Sequence, residues 1–172
     1  MHTTRLALTI LTLAAVLSAC SGIRVRSDFD SRTDFSAYRT YAWLTKRPPS
    51  QPARAPEVSD ILMERIQRAV AGELAGKGLR RVKEEAASLL VTHHVSIEEK
   101  LQFTDPYFAY DRVKTYEEGT LLIDFIDAKT QQLVWRGSGQ TKLREAPTPE
   151  ERDQRVKEVV DAILAQYPPK KK

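Results

Sequence analysis

From Leu89 to Glu98 the chain repeats with a period of two: Leu89, Val91, His93, Val95 and Ile97 fall on one side, and Leu90, Thr92, His94, Ser96 and Glu98 on the other. Successive side chains of an extended strand point to opposite faces, so this segment predicts a long strand with one apolar face. That face must be covered by a second layer, and the fold has to supply one. Two segments do so. Val58, Ile61, Leu62, Ile66, Ala69, Val70 and Leu74 fall on one helical stripe, and Val156, Val159, Val160, Ile163, Leu164 and Tyr167 on another. The first helix is expected to begin near Pro56 or Ser59 and to stop at Gly76 and Gly78. The second should run from about Pro149 to Tyr167 and end at Pro168-Pro169.

Further strands are predicted around these elements. Ile23, Val25 and Phe29 mark a first, with one phase slip, and Tyr38 to Leu44 a second, rich in aromatic and β-favouring residues. Asp34 and Ser36 between them suit a tight turn. Four prolines in residues 47–56 make an extended loop. Thr120–Ile126 and Leu133–Gly139 flank a short polar segment and predict a hairpin. If Phe125 faces Trp135, Asp124 lies opposite Arg136. The expected fold is α+β: a single domain with a mainly antiparallel sheet of five or six strands and both amphipathic helices packed on one face. A length of 172 residues suits one such domain. One cysteine excludes an intramolecular disulfide framework and a Cys-based zinc site, and seven glycines without a repeat exclude collagen-like and solenoid architectures.

That cysteine stands in a telling place. Residues 1–19 hold one positive charge, Arg5, and an apolar run from Leu6 to Leu17. The run has the length of a signal-peptide core, whereas a membrane-spanning helix takes about 20 residues. It ends in Leu17-Ser18-Ala19-Cys20, which resembles a bacterial lipobox. In proteins with that motif the cysteine sulfur takes a diacylglyceryl group, cleavage exposes the cysteine, and its amine is acylated. The expected organisation is a lipoprotein signal peptide over 1–19, a lipidated tether over 20–22, the α+β domain over 23–167 and a Pro/Lys tail over 168–172. Ser21, rather than Asp, resembles lipoproteins sorted to the outer membrane and disfavours inner-membrane retention. The expected placement is therefore the outer membrane, facing the periplasm. Charge points to no nucleic acid: 27 Lys and Arg face 23 Asp and Glu, and without Arg5 the excess equals Lys170, Lys171 and Lys172. That tail suits anionic headgroups, another acidic surface or plain solvent.

Three strings carry a family resemblance. Asp34-Phe35-Ser36-Ala37-Tyr38-Arg39-Thr40-Tyr41-Ala42-Trp43 opens it. Tyr116-Glu117-Glu118-Gly119-Thr120-Leu121-Leu122-Ile123-Asp124 with Leu133-Val134-Trp135-Arg136-Gly137 forms its centre, and Ile163-Leu164-Ala165-Gln166-Tyr167-Pro168-Pro169 closes it. Together they resemble the domain of unknown function 4136, a bacterial lipoprotein family, over nearly all of residues 23–169. The resemblance implies address and fold and no activity. Gln131 departs from it, since the family's turn commonly carries Gly there; a less relaxed turn is the implied consequence.

No catalytic residue, metal ligand or cofactor is assigned. His93 and His94 point to opposite faces of a strand and cannot bind one metal together. His93, on the apolar face, is expected to be a hydrogen-bonded core histidine, and His94 exposed. Gly72-Glu-Leu-Ala-Gly-Lys-Gly lacks phosphate-loop spacing and is expected to end a helix. Glu117, Glu118, Asp124 and Asp127 would have to pair for glycoside chemistry, and no motif surrounds them. The aromatic residues Phe103, Tyr107, Phe108 and Tyr110 are the candidate contact for a partner or ligand. They either form an exposed patch or fold back over the sheet. Tyr41 and Trp43 are expected in the core. The expectation is a non-enzymatic interaction or structural module of the envelope with a protein partner. A small-ligand or lipid-binding domain is the alternative, and an envelope-polymer hydrolase the third.

Overall fold

A computed structural model describes residues 22–45, 58–103 and 113–170, with the backbone alone at Phe103 and Val113. The elements are β1 (Arg24–Phe29), β2 (Thr40–Trp43), α1 (Asp60–Gly76), β3 (Arg80–Arg81), β4 (Leu89–Phe103), β5 (Val113–Asp127), β6 (Leu133–Lys142) and α2 (Pro149–Leu164). The predicted loop over 47–56 falls outside the described residues.

The strands form one open sheet in the order β1-β6-β5-β4-β2-β3. β1, β6, β5 and β4 are joined by antiparallel pairs, while β2 runs parallel to both β4 and β3. The expected hairpin register holds, with Phe125 opposite Trp135 and Asp124 opposite Arg136. Both arms of the β4–β5 pair extend further than the alternation suggested, as far as Phe103 opposite Val113. The α+β fold is thus the one expected from the sequence.

Local signals fix the helix ends. Ser59 caps α1, its hydroxyl accepting from the Leu62 N–H at 3.2 Å. At the other end Gly78 takes φ +82° and lets the Leu79 N–H turn back to the Leu74 carbonyl at 2.9 Å. The glycine-rich segment is therefore a helix end, as expected. Thr148 and Glu151 form a capping box before α2, with Pro149 at the first helical position. One residue of the first stripe departs from expectation: Ile61 is 60% exposed. It lies five residues before the buried Ile66, about 140° around the helix, whereas Leu62 is only about 40° away.

Both helices lie over the face that carries Leu89, Val91, Phe125, Ile123 and Trp135, all buried. Their close approach depends on two missing side chains. A Cβ on Gly137 would stand 2.3 Å from the Trp135 ring and 2.5 Å from Ile163 Cγ2; on Gly139 it would meet Ile163 and Val159 at 3.0 Å. Gly72, inside α1, has nothing within 4 Å of the same position. Gly137→Ala should therefore destabilise the domain by about 2–3 kcal/mol. Gly139→Ala should cost about 1 kcal/mol, and Gly72→Ala should add about 0.5–1 kcal/mol. Urea unfolding midpoints at unchanged slope would measure all three.

Candidate functional site

The three strings of the family resemblance meet in one aromatic cluster. Tyr167, from the chain after α2, packs against Phe35 at 5.8 Å, Phe125 at 4.6 Å and Trp135 at 5.5 Å between ring centroids. Phe125 and Trp135 are themselves 4.9 Å apart. Phe35 also contacts Tyr38 and Phe29. The rings around Tyr167 are arranged mostly edge to face, the geometry the ring quadrupoles favour. Burial pushes the Tyr167 hydroxyl up to about 12, so it stays neutral.

Tyr38 links this cluster to the β5–β6 turn. Its hydroxyl donates to Asp127 Oδ2 at 2.8 Å, and burial, with that bond, holds its ionisation well above the ordinary tyrosine value. Asp127 Oδ1 accepts from the backbone N–H groups of Lys129 and Thr130 at 3.0 and 2.7 Å. The Thr130 N–H is the main reason that the Asp127 carboxyl titrates below its usual range. Gln131 takes φ +57° in the same turn. This is the left-handed conformation that a glycine would adopt without cost, as the departure from the family pattern implied.

The polar face of the sheet carries two cross-strand ion pairs. Arg136 donates to both carboxylate oxygens of the buried Asp124 at 2.6 Å each, and the bond to Asp124 raises the guanidinium further above its usual value. Arg24 reaches the buried Glu118 at 2.6 Å. Glu117 and Glu118 are neighbours on β5 and point to opposite faces. Glu118 and Asp124 share a face but lie six positions apart, about 20 Å along the strand. Carboxylates paired for glycoside chemistry stand roughly 5–9.5 Å apart, so these two are not brought together. Asp127 is occupied in its turn.

His93 and His94 face opposite sides of β4, opposite Ile123 and Leu122. Two expectations are corrected here. His93 is not hydrogen-bonded: its Nε2 is buried without a partner among the described residues, and its ring packs edge-on to Trp43 at 5.4 Å. His94 is half-buried on the open sheet face rather than exposed, since β5 covers one side of it. Tyr41 is buried as expected and Trp43 half-buried. Among the described residues no group of three or more His, Cys, Asp or Glu side chains is placed to hold a metal ion. Cys20, the Phe103 side chain, Tyr107, Phe108 and Tyr110 lie outside the described residues.

Among the described residues, two surface grooves have volumes of about 490 and 480 Å3. The first lies between Glu84, Leu90 and Lys129, the second between Arg24, Tyr116, Glu118 and Lys142. In the second, Lys142 Nζ sits 4.5 Å above the Tyr116 ring. Sequence reasoning missed the Tyr38–Asp127 and Arg24–Glu118 contacts. They join residues 89 and 94 positions apart, for which no local pattern exists.

The site geometry rests on an α+β fold of one six-stranded sheet and two helices. The chain belongs to the domain of unknown function family DUF4136, whose profile matches residues 25–169. A DUF4136 family protein, BT2437, from Bacteroides thetaiotaomicron has a similar fold, with a TM-score of 0.52 at 14% identity over 86% of this chain and 96% of that one. A PDZ domain protein from Parabacteroides distasonis gives a TM-score of 0.57 at 16% identity over 87% of this chain. This chain spans only 37% of that protein's length. PelC from Paraburkholderia phytofirmans, a dodecamer, gives a TM-score of 0.52 at 12% identity over 83% of this chain and 95% of that one. No curated protein matches the sequence.

Two stability predictions follow from this geometry. Burial lowers the His93 pKa to about 4. The unfolded chain takes up a proton near pH 6.5 that the folded chain refuses until about pH 4. Stability therefore falls with pH across that window, by on the order of 2 kcal/mol given the ring's partial exposure. His93→Leu should flatten the unfolding free energy between pH 6.5 and 4, while acid loss below pH 4 persists through Asp30, Asp127 and Glu158, whose pKa values are lowered. Gln131→Gly should raise stability by about 0.5–1 kcal/mol, read as an increased urea midpoint.

Proposed function

We propose that this chain is a lipid-anchored lipoprotein of the outer membrane whose domain faces the periplasm and works as a non-enzymatic interaction module. One observation carries the anchoring. The only cysteine of the chain ends the Leu17-Ser18-Ala19-Cys20 string, and β1 begins at Arg24, four residues later. Four extended residues span at most about 14 Å, so an acylated Cys20 would hold the Gly22 end of the sheet close to the headgroups. Among the described residues no helix is long and apolar enough to cross a membrane. Three acyl chains would make release negligible.

The interaction reading rests on how the polar groups are used. Asp124, Glu118 and Asp127 are engaged in ion pairs or in turn structure, and Tyr38 and Tyr167 in packing. The two grooves are open and lined largely by charged and polar side chains, which suits a contact surface better than an enclosed site for a small apolar ligand. PelC, of similar fold, assembles as a dodecamer, which supports a role for this fold in contacts between protein chains.

Metabolic labelling with an alkynyl fatty acid, followed by separation of inner and outer membranes, tests the anchoring. Label on the wild-type chain in the outer-membrane fraction, lost in Cys20→Ser with release of the chain to the soluble fraction, is the expected result. Label retained in Cys20→Ser, or an unlabelled soluble wild type, overturns the reading. Photo-crosslinking from Tyr107 and Tyr110 in intact cells tests the interaction. Discrete protein adducts are expected, and lipid or glycan adducts in their place would favour the ligand-binding alternative.

A further inference from the structure

β1 is the outermost strand on one side of the sheet, and among the described residues no strand pairs with its outer edge. The Asp30 N–H donates to the Val134 carbonyl at 3.0 Å, so even-numbered positions turn their backbone groups toward β6. Val25, Ser27 and Phe29 turn theirs outward. The Phe29 N–H shows that direction, since its acceptor is the Asp28 carboxylate at 2.9 Å and not β6. The segments outside the described residues begin and end away from this edge. Residues 46–57 leave from Thr45, which bonds Glu84 on the far side of the sheet, and lead to α1, whereas α2 is the helix lying against β6 and β1. Residues 104–112 join Phe103 to Val113, three strands from β1 and seven positions past the level of Arg24, about 23 Å along the strands. Before Gly22 an acylated, cleaved chain holds only Cys20 and Ser21.

We propose that β1 pairs antiparallel with β1 of a second copy across a two-fold axis at Ser27, which joins the two sheets into one. The pairing rests on the interaction reading above and gives it a partner. Under this axis Ser27 faces the partner's Ser27, Val25 faces the partner's Phe29, and Arg26 faces the partner's Asp28. The odd-numbered positions, whose backbone groups point outward, then form hydrogen-bonded pairs, each exchanging two N–H···O bonds. Arg26 and the partner's Asp28 form a non-hydrogen-bonded pair, the kind in which Cα atoms lie about 4.5 Å apart and side chains meet most closely. The Phe29 N–H passes from Asp28 to the partner's Val25 carbonyl, which leaves the Asp28 carboxylate to the partner's Arg26.

Charge chooses the register. The outward hydrogen bonds allow only axes that pair odd positions with odd ones. An axis one position earlier sets Arg26 against the partner's Arg26, and one position later sets Asp28 against the partner's Asp28. Both bring like charges to the closest approach on the axis. The axis at Ser27 replaces them with two symmetric Arg26–Asp28 pairs, and further out Arg24 falls opposite the partner's Asp30. An edge strand charged with one sign repels a second copy of itself. β1 instead carries Arg24 and Arg26 before Ser27 and Asp28 after it, a pattern complementary to its own reverse. Arg26, Ser27 and Asp28 are exposed, and Arg26 has no ion-pair partner among the described residues. Phe29, 41% exposed, would be covered by the partner's Val25. The two-fold stands perpendicular to the sheet, so both Gly22 ends lie at one height along it and both Cys20 can reach one leaflet. Strand pairing buries little surface, but a shared membrane holds the copies at high effective concentration.

Ser27→Cys in the acylated full-length chain places one free thiol on each side of the axis, with Cα atoms about 5.5 Å apart, while Cys20 is consumed by its thioether. A short bismaleimide added to intact envelopes should join this variant into a dimer. Lys129→Cys, exposed in the β5–β6 turn and far from the axis, should stay unlinked. Arg26→Asp or Asp28→Arg added to Ser27→Cys should lower the dimer about tenfold, the weight of two cross-strand charge pairs. Both reversals together should restore it, a recovery that a purely local effect on folding would not give. Native mass spectrometry of the detergent-extracted wild type, which needs no substitution, should give a dimer. A monomer only, an adduct to another protein in place of the dimer, equal linking from Lys129→Cys, or no recovery with both reversals overturns the proposal. The acyl mass on Cys20 is read in the same spectra: an acylated monomer overturns the pairing alone, and an unacylated dimer overturns the anchoring alone.

Discussion

The contacts of Tyr167 hold the two layers of this domain together. The residue follows α2 and is 3% exposed, and its ring meets Phe125 and Trp135 from the central hairpin and Phe35 from the turn before β2. Segments far apart in the chain thus share one apolar centre. α2 can lie low enough on the sheet to deliver Tyr167 because Gly137 and Gly139 leave room for Ile163 and Val159. The ring contacts and the absent side chains are one arrangement: each loses its purpose without the other. This explains in physical terms why the recognisable strings of the chain stand where they do, since they build the cluster.

Much of the fold was legible because its signals are local. The alternation in β4, the stripes of α1 and α2, the Ser59 cap and the hairpin register each depend on residues close in sequence or on one fixed period. What was not legible depends on distant partners. Tyr38 contacts Asp127 and Arg24 contacts Glu118 only because the strand order is β1-β6-β5-β4-β2-β3, with β2 parallel to β4. The Nε2 of His93, without a partner among the described residues, arises in the same way: the strand period fixes the face of the ring, but Trp43, its neighbour, offers an aromatic edge rather than an acceptor. Ile61 is a third case: it borders the apolar stripe of α1 without belonging to it and stays exposed.

The two faces of the sheet differ in what they leave available. The helix face is closed by apolar packing, and its histidine is kept neutral by burial. The open face carries carboxylates whose charges are already compensated by Arg136 and Arg24. Breaking such a pair would leave a buried carboxylate without its partner, which costs about 1–3 kcal/mol. These pairs fix the shape and potential of the open face.

A surface of fixed shape leaves the backbone as the remaining source of directional contacts. In an open sheet the unpaired N–H and C=O groups at the edges are strong hydrogen-bonding sites that proteins must cover, block or use. β1 blocks part of its edge itself: the Asp28 carboxylate accepts from its neighbour Phe29 N–H at 2.9 Å. That bond is local and exposed, so a strand arriving alongside can replace it at small cost. On the other side of the sheet β2 runs along β4, and the Leu44 N–H carries that cover on to the Val91 carbonyl at 2.9 Å. The two sides of the sheet are therefore covered by different means, a side-chain bond within β1 and a parallel strand along β4.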